Sequence, residues 1–310
     1  MAKITVLGEC MVELSPEASD GGAPLYRMGY AGDTFNTAIY MARLGDQVAY
    51  CTALGQGDPF SEGVLSTMRR EAMDTRLVRQ VENRLPGLYA IVLDEHGERK
   101  FHYWRERAPI RDLFSAHTAD QLIEAAKASD LVYLSGVTLA VVGDIGRARL
   151  KDMLAYVHSR GVAVALDFNY RPALWPSAEA AREALDGVVP SCRYVSLSSE
   201  DSRPLYDREA EGLAGEWAAA GAEVVARDES HCVNVHRPDG RTATPAPGRV
   251  KAVDTTGAGD GFNAAYLSSR LAGLPIPEAV ARAHALAALV VSHRGAILPH
   301  GLALNVARAS

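Results

Sequence analysis

The chain has 310 residues, 48% of them hydrophobic, and carries 32 Lys+Arg against 38 Asp+Glu for a formal charge of −6. That is enough apolar material for a large core, and the negative balance gives no general attraction to nucleic acid or an anionic membrane, so an anionic ligand must be held by a local cluster. Cys10, Cys51, Cys192 and Cys232 are scattered, with no C-x-x-C pair and no His at metal spacing, which reads as reduced core thiols of a cytoplasmic protein, or else as one disulfide pair.

Apolar runs rich in Val, Ile and Leu predict strands at 3–8, 48–54, 130–135, 162–168, 193–197 and 222–227. Helical patterns occupy 33–44, 58–72, 117–128, 143–159, 208–220, 258–272 and 277–292. This alternation marks an α/β fold with a mostly parallel sheet covered by helices, and strands apolar almost throughout are those buried on both faces. The first strand reaches acidic residues too early for a signal peptide, and the longest apolar run, Ala285 to Val291, is too short for a membrane span, so neither secretion nor membrane insertion is expected.

Residues 10–30 and 86–104 break the alternation. Gly87-Leu88-Tyr89-Ala90-Ile91-Val92-Leu93 and Arg99-Lys100-Phe101-His102-Tyr103-Trp104, joined through Asp94-Glu95-His96-Gly97, predict a hairpin. It is expected to project as a small antiparallel β lid that closes on substrate and excludes water. With no repeat, low-complexity tract or long linker, one domain over 1–310 is expected, its lid formed by about 10–30 and 86–104.

Asp254-Thr255-Thr256-Gly257-Ala258-Gly259-Asp260 runs straight into the helical Gly261-Phe262-Asn263. Glycines let successive amides converge on an anion and a helix start adds partial positive charge, a combination suited to phosphoryl transfer. Asp260 would stand beside the phosphate and accept the proton of an attacking alcohol. An ordinary turn and cap would use the same residues. In Gly32-Asp33-Thr34-Phe35-Asn36, either Asp33 or Thr34 caps the next helix, or Gly32, Asp33 and Asn36 line a polyol pocket, Asn supplying both donor and acceptor. Gly55-Gln56-Gly57-Asp58-Pro59-Phe60 lacks the third glycine of a dinucleotide fingerprint, and no G-x-x-x-x-G-K-[ST] loop is present, which argues against a nicotinamide dehydrogenase and a P-loop enzyme.

Tyr103 and Arg105, two apart in an extended segment, should share a face. With Tyr89 they suit a carboxylate and a neighbouring carbonyl; the alternative is surface aromatics and a solvated arginine. Asp167-Phe168-Asn169-Tyr170-Arg171-Pro172 follows a buried strand at the carboxyl end, where open α/β sheets bind ligands. Arg171 either bridges the substrate and the transferred phosphoryl group or pairs with Asp167.

These pieces stand in the order of the ribokinase-like, phosphofructokinase B family of sugar kinases, which the chain resembles from Ile4 to Pro299. Gly8-Glu9-Cys10-Met11-Val12-Glu13-Leu14, Gly32-Asp33-Thr34-Phe35-Asn36, Glu82-Asn83-Arg84-Leu85-Pro86-Gly87-Leu88-Tyr89, Tyr103-Trp104-Arg105, Asn169-Tyr170-Arg171-Pro172 and Arg294-Gly295-Ala296-Ile297 are similar to its branch that phosphorylates 2-keto-3-deoxygluconate. The resemblance implies a central, mostly parallel sheet flanked by helices, with a small β lid often shared in a homodimer. It implies Asp260 as the base for the sugar's 6-hydroxyl and Gly257, Ala258 and Gly259 as an anion hole. Gly32, Tyr89, Tyr103, Arg105 and Arg171 would hold the sugar acid, with Arg105 nearest its carboxylate and Asn36 and Glu13 as further hydroxyl contacts.

On the nucleotide side it implies ATP with Mg²⁺ at Asn169, Ser198, Glu200, Arg227, Gly257 and Gly259, Glu200 reaching the metal indirectly, and it leaves a monovalent cation open. The chain departs from the family pattern there. Leu197-Ser198-Ser199-Glu200 keeps the acid of the usual Asn-x-x-Glu but not the amide, and Ala31 replaces a usual glycine. The loop Ala226-Arg227-Asp228-Glu229-Ser230-His231-Cys232 lacks a lysine and adds two carboxylates, which should weaken triphosphate binding by repulsion, with Arg227 compensating in part. Two rival readings remain: a kinase of a neutral sugar such as fructose or ribose, which would leave Arg105 without a partner, and a sugar-acid-binding regulatory protein with weak phosphoryl transfer.

Overall fold

The computed structural model describes residues 1–17, 23–93, 99–114, 119–230, 232–246, 248 and 250–304. The turn expected at Asp94 to Gly97 lies outside them. The strands are β1 (Lys3–Leu7), β2 (Met11–Glu17), β3 (Leu25–Ala31), β4 (Gln47–Gly55), β5 (Val78–Val81), β6 (Leu88–Leu93), β7 (Arg99–Trp104), β8 (Leu131–Ser135), β9 (Ala163–Asp167), β10 (Tyr194–Ser198), β11 (Glu223–Arg227), β12 (Val233–Arg237) and β13 (Gly240–Thr244). The helices are α1 (Asp33–Arg43), α2 (Pro59–Arg70), α3 (Ala119–Lys127), α4 (Gly136–Val141), α5 (Gly143–Ser159), α6 (Ala178–Asp186), α7 (Ser199–Tyr206), α8 (Ala210–Ala219), α9 (Ala258–Leu271) and α10 (Ile276–Val291).

A nine-stranded sheet has the order β13-β12-β11-β10-β9-β8-β1-β4-β5. From β5 to β11 every neighbouring pair is parallel, and β12 and β13 close the far edge antiparallel. Alternate side chains of the parallel strands enter two cores. Val132 and Leu134 of β8 join one with α4, α5 and α6, while Leu131 and Tyr133 join the other with α1, α9 and α10. This period explains why the central strands read as apolar on both faces. Among the described residues no helix is long and apolar enough to cross a membrane.

β3-β2-β6-β7 form a second, four-stranded sheet. The strands expected in 86–104 are β6 and β7, paired antiparallel, but the central β2–β6 pairing is parallel, which the expected antiparallel lid did not anticipate. The reason is topological. β1 and β5 run the same way in the large sheet, and β2 and β6 follow them past the same edge.

At that edge, the carboxyl ends of β1, β8, β9 and β10 meet the amino ends of α1 and α9. Tyr40 of α1 braces the place: its hydroxyl donates to the Ala296 carbonyl at 2.7 Å and accepts from the Leu298 amide at 3.1 Å, all buried. Tyr40→Phe leaves both groups without that partner, each at a cost of about 1–3 kcal/mol. Thermal or denaturant unfolding is expected to show a combined loss of about 2–6 kcal/mol; an unchanged midpoint would remove Tyr40 as the brace.

Candidate active site

Helix α9 starts at Gly257, whose φ of 78° lies in the left-handed region. A β-carbon there would lie 2.7 Å from the Ala296 carbonyl oxygen and 2.8 Å from its α-carbon. Glycine is therefore required both by the turn and by the close approach. Gly257 makes the turn and stands at the cap position, as the turn-and-cap alternative has it, but no side chain caps α9, and the first amides of the helix, including those of Gly259 and Asp260, have no carbonyl one turn earlier within it.

Asp260, at the third helical position, accepts from Asn36 Nδ2 at 2.8 Å. Burial pushes its carboxyl well above the ordinary range; the Asp33 and Asp167 carboxylates push the same way, against the Asn36 hydrogen bond and the Arg171 guanidinium. Asp33 opens α1, whose cap position is Gly32 without a side-chain cap. Neither Asp33 nor Thr34 caps α1: Asp33 Oδ2 accepts from Asn169 Nδ2 at 2.7 Å, and Thr34 Oγ1 lies 3.0 Å from the Tyr50 hydroxyl. Asn36 also accepts from the Gly32 amide at 3.4 Å. Gly32, Asp33, Asn36, Asn169 and Asp260 thus form one connected wall.

The second sheet supplies the facing wall. Tyr89 and Tyr103 are cross-strand neighbours with ring centroids 5.7 Å apart, and the Arg105 guanidinium lies 5.7 Å from the Tyr103 ring. Tyr103 and Arg105 do meet on one side, but Arg105 is not solvated: it is 9% exposed and ion-paired with buried Glu9. The Tyr89 hydroxyl donates to Glu13, whose carboxyl burial pushes up against that hydrogen bond. Arg171 is exposed, donates to its neighbour's Tyr170 carbonyl at 3.1 Å, and bears electrostatically on both Tyr103 and Asp260. Its alternative partner, Asp167, faces Arg227 instead at 3.8 Å; burial pushes the Asp167 carboxyl up to about 7 against that cation.

The expected nucleotide residues divide. Arg227 donates to Ser196 Oγ at 3.0 Å, lies 5.2 Å over the Phe262 ring, and its Nη1 is 3.6 Å from where a β-carbon on Gly259 would stand. That puts a guanidinium beside the first turn of α9. Ser198 is occupied in a capping box with Asp201, and Glu200 is exposed in the first turn of α7. The repulsion expected from Asp228 and Glu229 is reduced. Asp228 accepts from the Ser230 and Cys232 amides and the Ser230 hydroxyl, and Glu229 pairs with Arg203. Among the described residues no group of three His, Cys, Asp or Glu forms a metal cage.

Three contributors had no expected role. Asp201 is buried and accepts from the Tyr170 amide at 2.7 Å, fastening the Asn169–Arg171 loop to α7; the Ser-x-x-Asp capping pattern was its signal in the sequence. Asp254 accepts from the Gly295 amide at 2.6 Å, the Thr256 amide at 3.0 Å and Arg99 of β7. Burial pushes its carboxyl up, but those donors prevail and hold it below the usual range. Glu9 is the third, and only its place in a quoted motif marked it.

Residues 1–301 match the pfkB family carbohydrate kinase. The chain is 37% identical over 306 residues to a 2-dehydro-3-deoxygluconokinase of Escherichia coli strain K12, covering 96% of this chain and 97% of that one. It is 38% identical over 306 residues to a 2-dehydro-3-deoxygluconokinase of Dickeya dadantii strain 3937, covering 96% of each. Its fold superposes on the crystal structure of fructokinase with bound ATP from Xylella fastidiosa with a TM-score of 0.80 at 21% identity, over 95% of this chain and 93% of that one. With the match running through both sheets and the Gly257 turn, the chain belongs to the pfkB family of carbohydrate kinases.

Proposed function

We propose that this carbohydrate kinase transfers the γ-phosphate of ATP to the 6-hydroxyl of 2-keto-3-deoxygluconate (2-dehydro-3-deoxy-D-gluconate), giving 2-keto-3-deoxy-6-phosphogluconate. The observation that carries the reading is Asp260 at the start of α9, which has no side-chain cap, with the Arg171 guanidinium bearing both on it and on Tyr103 of the second sheet. The printed names of the bacterial relatives support the same substrate.

In this reading the kinase is one domain and the four-stranded sheet is its lid. Arg105, Tyr89 and Tyr103 hold the carboxylate end of the sugar, and Gly32, Asp33, Asn36 and Arg171 meet its hydroxyls. Asp260 accepts the 6-hydroxyl proton as that oxygen attacks phosphorus. Amides of Gly257, Ala258 and Gly259, with Arg227 beside them, take up charge developing on the phosphoryl oxygens. Bound Mg²⁺ screens the triphosphate. Asn169, Ser198 and Glu200 border the nucleotide, Ser198 through its helix cap, and a monovalent cation needs no assigned residue.

The outward face of the lid presents Tyr26, Met28, Val92 and Trp104, the last 58% exposed, on alternating positions of paired strands. A second copy of the chain covering this face makes the homodimer. Buried, free Cys10, Cys51 and Cys192 suit the reducing cytoplasm.

Asp260→Asn is expected to lower kcat by about 10²–10⁴ with little change in sugar affinity, as loss of a positioned base does. Since the base must be ionised and its carboxyl is raised, wild-type kcat should fall on acidification at a pH well above 3.8, the ordinary value; near-normal turnover of the variant would reject Asp260 as the base. Arg105→Ala should raise KM for the keto acid about 10- to 100-fold, the scale of a charge-assisted contact, and leave fructose turnover largely untouched. Equal losses on both sugars would defeat the carboxylate role and favour the neutral-sugar reading. Trp104→Glu should shift light scattering from dimer to monomer; a wild-type monomer would refute the lid interface.

A further inference from the structure

Glu9 is 3% exposed, and its Oε2 accepts from Arg105 Nη2. The opposite atoms of both groups, Glu9 Oε1 and Arg105 Nε, are buried and make no hydrogen bond among the described residues. Glycines leave room for this residue: a β-carbon on Gly87 would stand 2.8 Å from Oε1, and one on Gly32 would stand 2.2 Å from the Glu9 backbone carbonyl oxygen. Three segments, at Glu9, Gly87 and Arg105, therefore converge on one ion pair.

That pair creates a conflict for the sugar-acid reading, on which this inference rests. A substrate carboxylate reaching Arg105 makes a second anion on a cation already neutralised by Glu9, in a site with almost no water to screen the two. We propose that Glu9 is the positioning residue for Arg105 and that it takes up one proton from solvent when the substrate carboxylate binds. Oε1, which accepts nothing, receives the proton, while Oε2 keeps accepting from Arg105 and the fork stays in place. The cation is thereby released to the substrate without being moved.

The surroundings favour this. Burial already pushes the Glu9 carboxyl up; the Arg105 ion pair and its hydrogen bond oppose that, Asp33 on α1 adds to it, and Arg111, in the short helix Pro109–Asp112, opposes it. The Cys10 thiol and the Tyr50 hydroxyl of β4, the other titratable groups facing it, are both held up by burial and by the Glu9 charge, so neither competes as the proton acceptor at neutral pH. The sign follows. Binding that takes up a proton weakens as pH rises through the range where Glu9 is ionised in the free protein and neutral in the complex.

Calorimetry of 2-keto-3-deoxygluconate binding at one pH near 7.5, in buffers of different ionisation enthalpy, counts the protons. The wild-type protein is expected to take up about one proton per sugar acid and about none with fructose. Glu9→Gln, which keeps the acceptor and removes the charge, should bind the acid with no uptake. Acid binding without uptake in the wild type overturns the inference while leaving the substrate reading intact. Equal uptake with fructose, or uptake surviving in Glu9→Gln, assigns the proton elsewhere and also overturns it. No binding of the acid at all sinks the substrate reading and this inference together.

Discussion

The active end of this molecule depends on one close contact, the left-handed turn at Gly257 pressed against the backbone of Ala296. That contact sets where α9 begins, and so where its unpaired amides and Asp260 point. Neither side of it is rigid alone. Tyr40 holds the Ala296 to Leu298 segment from α1, and Asp254 holds Gly295 and Thr256 from the other side. Arg99 brings the second sheet to the same carboxylate, with Nη1 also 2.8 Å from Thr256 Oγ1. A loop after α10, a turn before α9 and a strand of the second sheet are thus tied through one buried, anionic aspartate.

The electrostatics of the cleft follow from this packing. Asp33 and Asp167 stand close enough to raise the Asp260 carboxyl, and Asp33 bears the same way on Asp167, in surroundings that penalise charge, while Asn36, Asn169 and Arg227 supply the compensating donors. Such crowding of carboxylates is costly unless each has a task or a partner. Asp33 has Asn169, Asp167 has Arg227, and Asp260 has one oxygen on Asn36. The arrangement separates three chemically identical groups by their neighbours.

What could be read from the residues alone was local. The parallel strands were legible because Leu131 to Ser135 and Ala163 to Asp167 are buried throughout, and the Gly257 to Asp260 run because an anion-binding helix start is written in consecutive residues. β12 and β13 were not, since His236, Arg241 and Thr242 mix polar groups into the partly exposed strands at this end of the sheet. Nor was the parallel pairing of β2 with β6, whose register depends on two other strands. The site partners that escaped notice join residues far apart: Asp201 to Tyr170 across 31 positions, Asp254 to Gly295 across 41, and Glu9 to Arg105 across 96. A carboxylate's role is set by its partner, and only folding names the partner.

The glycines show the same limit from the other side. Gly257 could be read as an anion-loop residue, and it is also a steric necessity. Gly32 and Gly87 sit in motifs that look like ligand loops, yet what a side chain would strike at each is Glu9. Neither needs a left-handed backbone there, so the constraint is space and not conformation. Gly87 makes room for the buried acid itself and Gly32 for the backbone that carries it. On the proposed reading, the specificity of the sugar end begins one layer behind the side chains that face the cleft, in the packing that lets Glu9 and Arg105 meet away from water.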